Sequence, residues 1–174
     1  MSLAITPVEK FALILNGIYG AEQPDRGDSK RGLGEAIATI KPVDNLAFIL
    51  DYVYGNESDL GVGGEQWNAF SGIIAYDLVD VLPVPVGFAF RGEFFDDSYG
   101  TRLPTPGGGG FGNYQNAWEL TGTFKVVLAE GLMLRTEYRY DKSAHQLFEK
   151  HLVGETDDFQ NDQQTVAAEL SYVF

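Results

Sequence analysis

The sequence predicts an all-β fold, an eight-stranded antiparallel up-and-down transmembrane β-barrel that takes residues 1–174 as a single domain. Three observations predict it. Apolar and polar residues alternate with period two in eight segments of about ten residues each, where a helix would follow a 3.6-residue period. Short and long connections between those segments alternate strictly. Charged residues inside the segments fall on the face opposite the aromatic ones.

Taken in chain order, the first strand sets Phe11, Leu13, Leu15 and Tyr19 against Asn16, and the second sets Ala36, Ala38 and Ile40 against Glu35, Thr39 and Lys41. The third alternates Leu46, Phe48, Leu50, Tyr52 and Tyr54 with Asp51; the fourth alternates Phe70, Ile74, Tyr76 and Leu78 with Ser71 and Asp77. In these four, Ile14, Ile18, Ile37, Ile49, Val53 and Ile73 share the polar face and weaken its polarity. The fifth, Val86 to Phe94, opposes Phe88, Phe90 and Phe94 to Arg91 and Glu93. The sixth opposes Trp118, Leu120, Gly122, Phe124, Val126 and Leu128 to Glu119, Thr121, Thr123 and Lys125. The seventh has the cleanest pattern, with Leu132, Leu134, Thr136, Tyr138 and Tyr140 facing away from Arg135, Glu137, Arg139 and Asp141. The eighth opposes Val166, Ala168, Leu170, Tyr172 and Phe174 to Thr165, Glu169 and Ser171.

Three connections are short (Pro42 to Asn45, Val81 to Pro85, Ala129 to Gly131) and four are long and polar (Ala21 to Arg31, Asn56 to Gly64, Asp96 to Gln115, Lys142 to Gln163). This alternation places three short periplasmic turns at one end of the barrel and four long extracellular loops at the other. Residues 1–10 are then a lead, and both termini lie at the short-turn end.

Which face points inward follows from volume. An eight-stranded barrel has room only for side chains or one small ligand. A face of Leu, Phe, Tyr, Ile and Trp would overfill that space, so the aromatic face is expected to point to lipid. A Lys or Arg at the membrane midplane costs ~2–4 kcal/mol. Accordingly, Glu35, Lys41, Asp51, Asp77, Arg91, Glu93, Glu119, Lys125, Arg135, Glu137, Arg139 and Glu169 all lie on the other face, as a lumen charge network whose members pair across strands. Tyr19, Tyr52, Tyr54, Phe94, Trp118, Tyr138 and Tyr140 near the long loops, with Tyr76, Tyr172 and Phe174 near the short turns, form two aromatic girdles at the membrane interfaces.

Composition narrows the function classes. With 12 Lys and Arg against 25 Asp and Glu, the net charge of −13 argues against nucleic acid as a partner, because phosphate binding needs a basic footprint. Cysteine is absent, which removes disulfides, thiolate metal sites and a cysteine nucleophile. No run approaches the ~20 apolar residues of a membrane-spanning helix.

The final strand ends in aromatic Phe174 with Tyr172 two residues before it, like the terminal strand of bacterial outer-membrane barrels, which the outer-membrane assembly machinery reads. The stretch Leu134-Arg135-Thr136-Glu137-Tyr138-Arg139-Tyr140-Asp141-Lys142-Ser143, then Leu147-Phe148-Glu149, then Gln164-Thr165-Val166-Ala167 to Phe174, resembles the end of the OmpL-like β-barrel porin family. The resemblance covers roughly the final quarter of the chain. It implies a bacterial outer-membrane location, membrane lipids and lipopolysaccharide as surroundings, and porin-like passive passage of small polar solutes or ions. Members of that family are longer, and Met1-Ser2-Leu3 leads into the first strand without a signal peptide. The expectation is a mature-length, truncated or engineered form of a larger porin. Its alternatives are a closed eight-stranded scaffold with surface-binding loops, an outer-leaflet lipid hydrolase, and a soluble lipocalin-like carrier.

Catalytic, cofactor and metal sites are not expected. Ser143 and His145 lie in an acidic loop with Glu149, His151 and Glu155 but have no third partner fixed by spacing. Neither the two His residues nor Asp157, Asp158, Asn161 and Asp162 match a defined metal-site spacing. The run Gly107 to Gly110 lacks the Lys and the helix of a phosphate-binding loop. Any cation preference is expected at the acidic loop mouth, at Asp157, Asp158 and Asp162.

Overall fold

The structure, a computed structural model, describes residues 1–21, 27, 29–58, 65–78, 83–103, 114–150 and 158–174. It is all-β and antiparallel, with strands β1 (Ser2–Val8), β2 (Phe11–Gly20), β3 (Arg31–Val43), β4 (Leu46–Glu57), β5 (Glu65–Leu78), β6 (Val86–Asp97), β7 (Gln115–Ala129), β8 (Leu132–Ser143), β9 (Phe148–Lys150), β10 (Asp158–Gln160) and β11 (Asp162–Tyr172). Nine strands form one up-and-down sheet in the order β1-β2-β3-β4-β5-β6-β7-β8-β11, and β9 and β10 form a separate hairpin. The eight predicted segments fall on β2 to β8 and β11.

The closed eight-stranded barrel is not what forms. The sheet is open, with β1 at one edge and β11 at the other. Part of the difference is β1: residues 1–10 are not a lead but supply a strand, Ser2–Val8. Ser2-Leu3-Ala4-Ile5 alternates and pairs in register with β2, from Ser2 opposite Asn16 to Ile5 opposite Leu13. Pro7 lies where that register shifts, a placement proline tolerates at a sheet edge because it has no N–H to donate. The added strand reverses the chain at Glu9 and Lys10, which carries Met1 to the long-loop end. There its ammonium donates to the Gly17 carbonyl at 2.7 Å. Only the C-terminus remains at the short-turn end.

Burial is inverted relative to a soluble sheet. Along the main strands, Glu57, Glu65, Trp67, Asp97, Gln115, Glu119, Thr121, Asp141 and Ser143 are buried, and the register places all of them on the predicted polar face. Val86 is the buried residue that faces the other way. On the aromatic face Phe70, Ile74, Phe88, Phe90, Phe94, Leu120 and Tyr138 are exposed. The sheet therefore curls around its charged side, and β4 to β8 together line a cavity of about 280 Å³ on that side.

Glycine makes two close approaches possible. The Lys125 ammonium reaches across β6 to Asp77 at 2.8 Å, and a Cβ on Gly87 would stand 2.2 Å from Lys125 Cε. The Trp67 indole lies against Gly55 of β4, where a Cβ would stand 2.1 Å from the ring.

Candidate functional site: the concave polar face

Ion pairs cross the strands of the concave face in two layers. At mid-height the Glu119 carboxylate, 4% exposed, takes Arg91 from β6 at 2.8 Å and Arg139 from β8 at 3.3 Å. Arg91 also meets Glu93 at 3.2 Å and Arg139 meets Asp141 at 2.6 Å. The Thr121 hydroxyl donates to Glu119 at 2.5 Å. Nearer the short turns, Lys125 pairs with Asp77 and Arg135 with Glu169, the latter at 2.8 Å with both side chains about half exposed. Open pairs of that kind stabilise little, whereas Glu119 is enclosed and shared by two guanidiniums, each of which also meets a second carboxylate.

The other predicted lumen charges are placed differently. Glu35 accepts from the Asn16 amide at 2.6 Å, and Glu137 accepts from the Thr123 hydroxyl at 3.1 Å. Asp51 Oδ1 is buried without a hydrogen-bond partner and borders the cavity. Lys41 is exposed beside the β3–β4 turn. Of the aromatic set, Tyr19, Tyr52, Tyr54, Tyr76, Phe94, Tyr138, Tyr172 and Phe174 are exposed; Trp118 and Tyr140 pack against each other with centroids 5.5 Å apart.

A third cluster, absent from the sequence-based set, sits at the long-loop end of the same face. Glu57 of β4 faces Arg31 of β3 and Glu65 of β5 in register. After β6 the chain turns inward over this group. Asp97 accepts the backbone N–H groups of Arg102 and Leu103 at 2.6 and 2.8 Å, and Gly100 has the positive φ of 62° that the tight turn needs. Arg102 is thereby delivered across β5. Its guanidinium pairs with Glu57 at 2.5 Å and stacks 3.9 Å from the centroid of the Trp67 ring. Arg31 shares the same Glu57 oxygen at 2.9 Å.

Glu65 is 0% exposed, and neither carboxylate oxygen meets a donor in hydrogen-bonding geometry. Burial raises its pKa above the ordinary glutamate value; Thr101 and Arg102 act in the opposite direction, while Glu57 and Asp97 reinforce the rise. This level stands above the apolar band. Outward neighbours here are Asn56, Gln66, Asn68 and Asp96, and the outward apolar residues of β5 begin at Phe70.

The sequence hides this cluster because its members sit at strand ends whose outward neighbours are polar, so the alternation there resembles loop. The two-residue period of β5 extends upstream through Ala69, Trp67 and Glu65, and that of β6 extends downstream through Phe95 and Asp97. Arg102 has no periodic signal, since its position comes from the turn after Asp97.

Several loop expectations also resolve. The Ser143 hydroxyl donates to the backbone carbonyls of His145 and Asn161 at 2.5 and 3.2 Å, so it is held by the main chain and not by an imidazole. Asp162 pairs in register with Lys142 and Asn161 lies at the β10–β11 bend, so Asp162 stands on the outward face and not at a mouth. His151, Glu155, Asp157 and the run Gly107 to Gly110 lie outside the described residues, as does the Asp158 side chain. Among the described residues no group of three or more His, Cys, Asp or Glu side chains is arranged to hold a metal ion.

A sheet with an apolar, aromatic outer face and an enclosed, ion-paired inner face has the two surfaces of a membrane-barrel wall. Neither a curated protein nor a solved structure matches the chain. The family described as "Putative beta-barrel porin-2, OmpL-like" matches residues 1–174, extending the likeness of the last quarter to the whole sequence, and the chain belongs to that outer-membrane porin family.

Proposed function

We propose that the nine-stranded sheet is a sector of an outer-membrane porin wall through which small polar solutes or ions pass passively along the concave face. The observation that carries this is the inverted burial: charged residues such as Glu119 are enclosed while Phe90, at 52% exposure, faces outward. A closed eight-stranded scaffold would need edges that meet, and β1 and β11 do not pair.

Preference for charge follows from the mid-height layer. Among the described residues, four acidic side chains (Asp51, Glu93, Glu119, Asp141) stand beside two guanidiniums (Arg91, Arg139), an excess of acidic over basic groups at the cavity. A ring with surplus carboxylate favours cations. Reconstituted into planar bilayers, the protein should give stepwise conductance, with a reversal potential of cation-selective sign in a KCl gradient. Silent bilayers at protein densities where insertion is verified would sink the channel reading; anion-selective sign would sink the assignment of the filter to this layer.

A further inference from the structure

The loop-end cluster is more than a latch for the chain after β6. Arg102 enters it as a side chain from outside the strands, and what it meets is a set of groups suited to an organic cation. Glu57 supplies a charged acceptor at 2.5 Å, and Trp67 supplies a π-face 3.9 Å from the guanidinium carbon. The negative ring face attracts a cation best when water is excluded, and Trp67 is 6% exposed. Glu57 is itself 0% exposed, and Arg31 fixes its orientation from the next strand.

Arg102 does not exhaust the site. Glu65, opposite Glu57 in register and fully buried, leaves both carboxylate oxygens unpartnered. Arg102 Nε is buried without an acceptor, and the Gln115 amide nitrogen is also unpartnered. Glu65 therefore stands beside the ion pairs that Glu57 makes with Arg31 and Arg102 as a buried carboxyl group with no hydrogen-bond donor on either oxygen. A cation held by one carboxylate oxygen, while a buried carboxylate in the same cluster goes unused, is an imperfect occupant. A free guanidinium or primary ammonium, unconstrained by the turn at Gly100, could use Glu57, Trp67 and Glu65 together.

We infer that Glu57, Glu65 and Trp67 form a recognition cradle for small organic cations bearing a guanidinium or primary ammonium group, and that Arg102 is its intramolecular stand-in. Exchange with a solute cation releases the Ser98–Leu103 segment from the inner face, so binding and access along that face are coupled. The cradle rests on the porin reading only in that a solute must reach the concave face; binding itself needs no conduction.

The test uses the chain folded in detergent micelles, with agmatine as the guanidinium probe and glycerol as a neutral control. Trp118→Phe leaves Trp67 as the sole tryptophan, so its fluorescence reports occupancy of the cradle. In that background Arg102→Ala should bind agmatine on the order of tenfold more tightly than the chain that retains Arg102, because the internal competitor is gone. Adding Glu65→Gln to Arg102→Ala should reverse most of that gain, and glycerol should give no response in any variant. Equal affinity with and without Arg102, or a gain indifferent to Glu65→Gln, overturns the proposal. Should Arg102→Ala misfold, as judged by loss of the heat-modifiable gel shift, Arg102→Gln keeps the side-chain bulk and carries the same comparison. Binding without bilayer conductance would retain the cradle and remove the channel; conductance without binding would do the reverse.

Discussion

Glu65 shows what a single residue at the rim contributes. Burial favours its neutral form, and the carboxylates of Glu57 and Asp97 add to that against the opposing pull of Thr101 and Arg102. A carboxyl group whose folded-state pKa exceeds its unfolded value binds its proton more tightly when folded. Its favourable contribution is fully present below the unfolded pKa and is lost as pH rises through the folded one. Glu65→Gln fixes the neutral state, so the variant should gain stability relative to the parent chain as pH rises from about 4.5, the ordinary glutamate value, towards neutrality. Urea unfolding in micelles at several pH values, monitored by tryptophan fluorescence, reads the difference directly. A gap between the two chains that stays constant with pH, or shrinks as pH rises, would show that Glu65 is ionised and paired in the folded protein.

At the scale of the strand, period two is a strong signal where both faces are distinct, and β6 to β8 were readable to within a few residues for that reason. Phe88, Phe90 and Phe94 point one way and Arg91 and Glu93 the other in the sequence as in the register. Legibility fails where the physics is not periodic. β1 is short and carries Pro7, so its alternation is too brief to mark a strand. Glu57, Glu65 and Asp97 close strands whose outward residues have already turned polar, which removes the contrast that marks a strand. Arg102 reaches Glu57 over 45 residues of separation through a turn that no local pattern encodes. The orientation of β6 has a direct test. Phe90 is central in its outward apolar run, so Phe90→Arg should destabilise the protein in bilayers by about 2–4 kcal/mol. Thr123→Arg, on the inward face beside Glu137, should be far milder. Equal penalties for the two, measured as shifts in reversible unfolding from lipid vesicles, would refute the assignment of faces.

At the scale of the molecule, β1 and β11 leave the sheet with two open edges. Consecutive neighbours across the nine-stranded sheet are antiparallel, so its first and ninth strands, β1 and β11, run in the same direction. Inside a bilayer an unpaired strand edge leaves N–H and C=O groups with no water to satisfy them, each at a cost of several kcal/mol. Both edges must therefore be paired in the membrane. Joining β1 to β11 directly would make a parallel pair in an otherwise antiparallel wall, while an odd number of intervening strands keeps the alternation throughout. The second arrangement also yields a lumen wider than nine strands enclose. Because the chain has no cysteine, spin labels can be attached cleanly at Ala4→Cys on β1 and Ala167→Cys on β11, both exposed positions on the concave side. Neighbouring strands lie about 4.8 Å apart, so intervening strands require a separation of at least two such spacings between the labelled backbones. Pulsed dipolar measurements on the protein in liposomes should give distances well beyond that minimum. Strong short-range dipolar broadening, the mark of labels on adjacent strands, would mean that β1 and β11 close on each other and that nine strands are the whole wall.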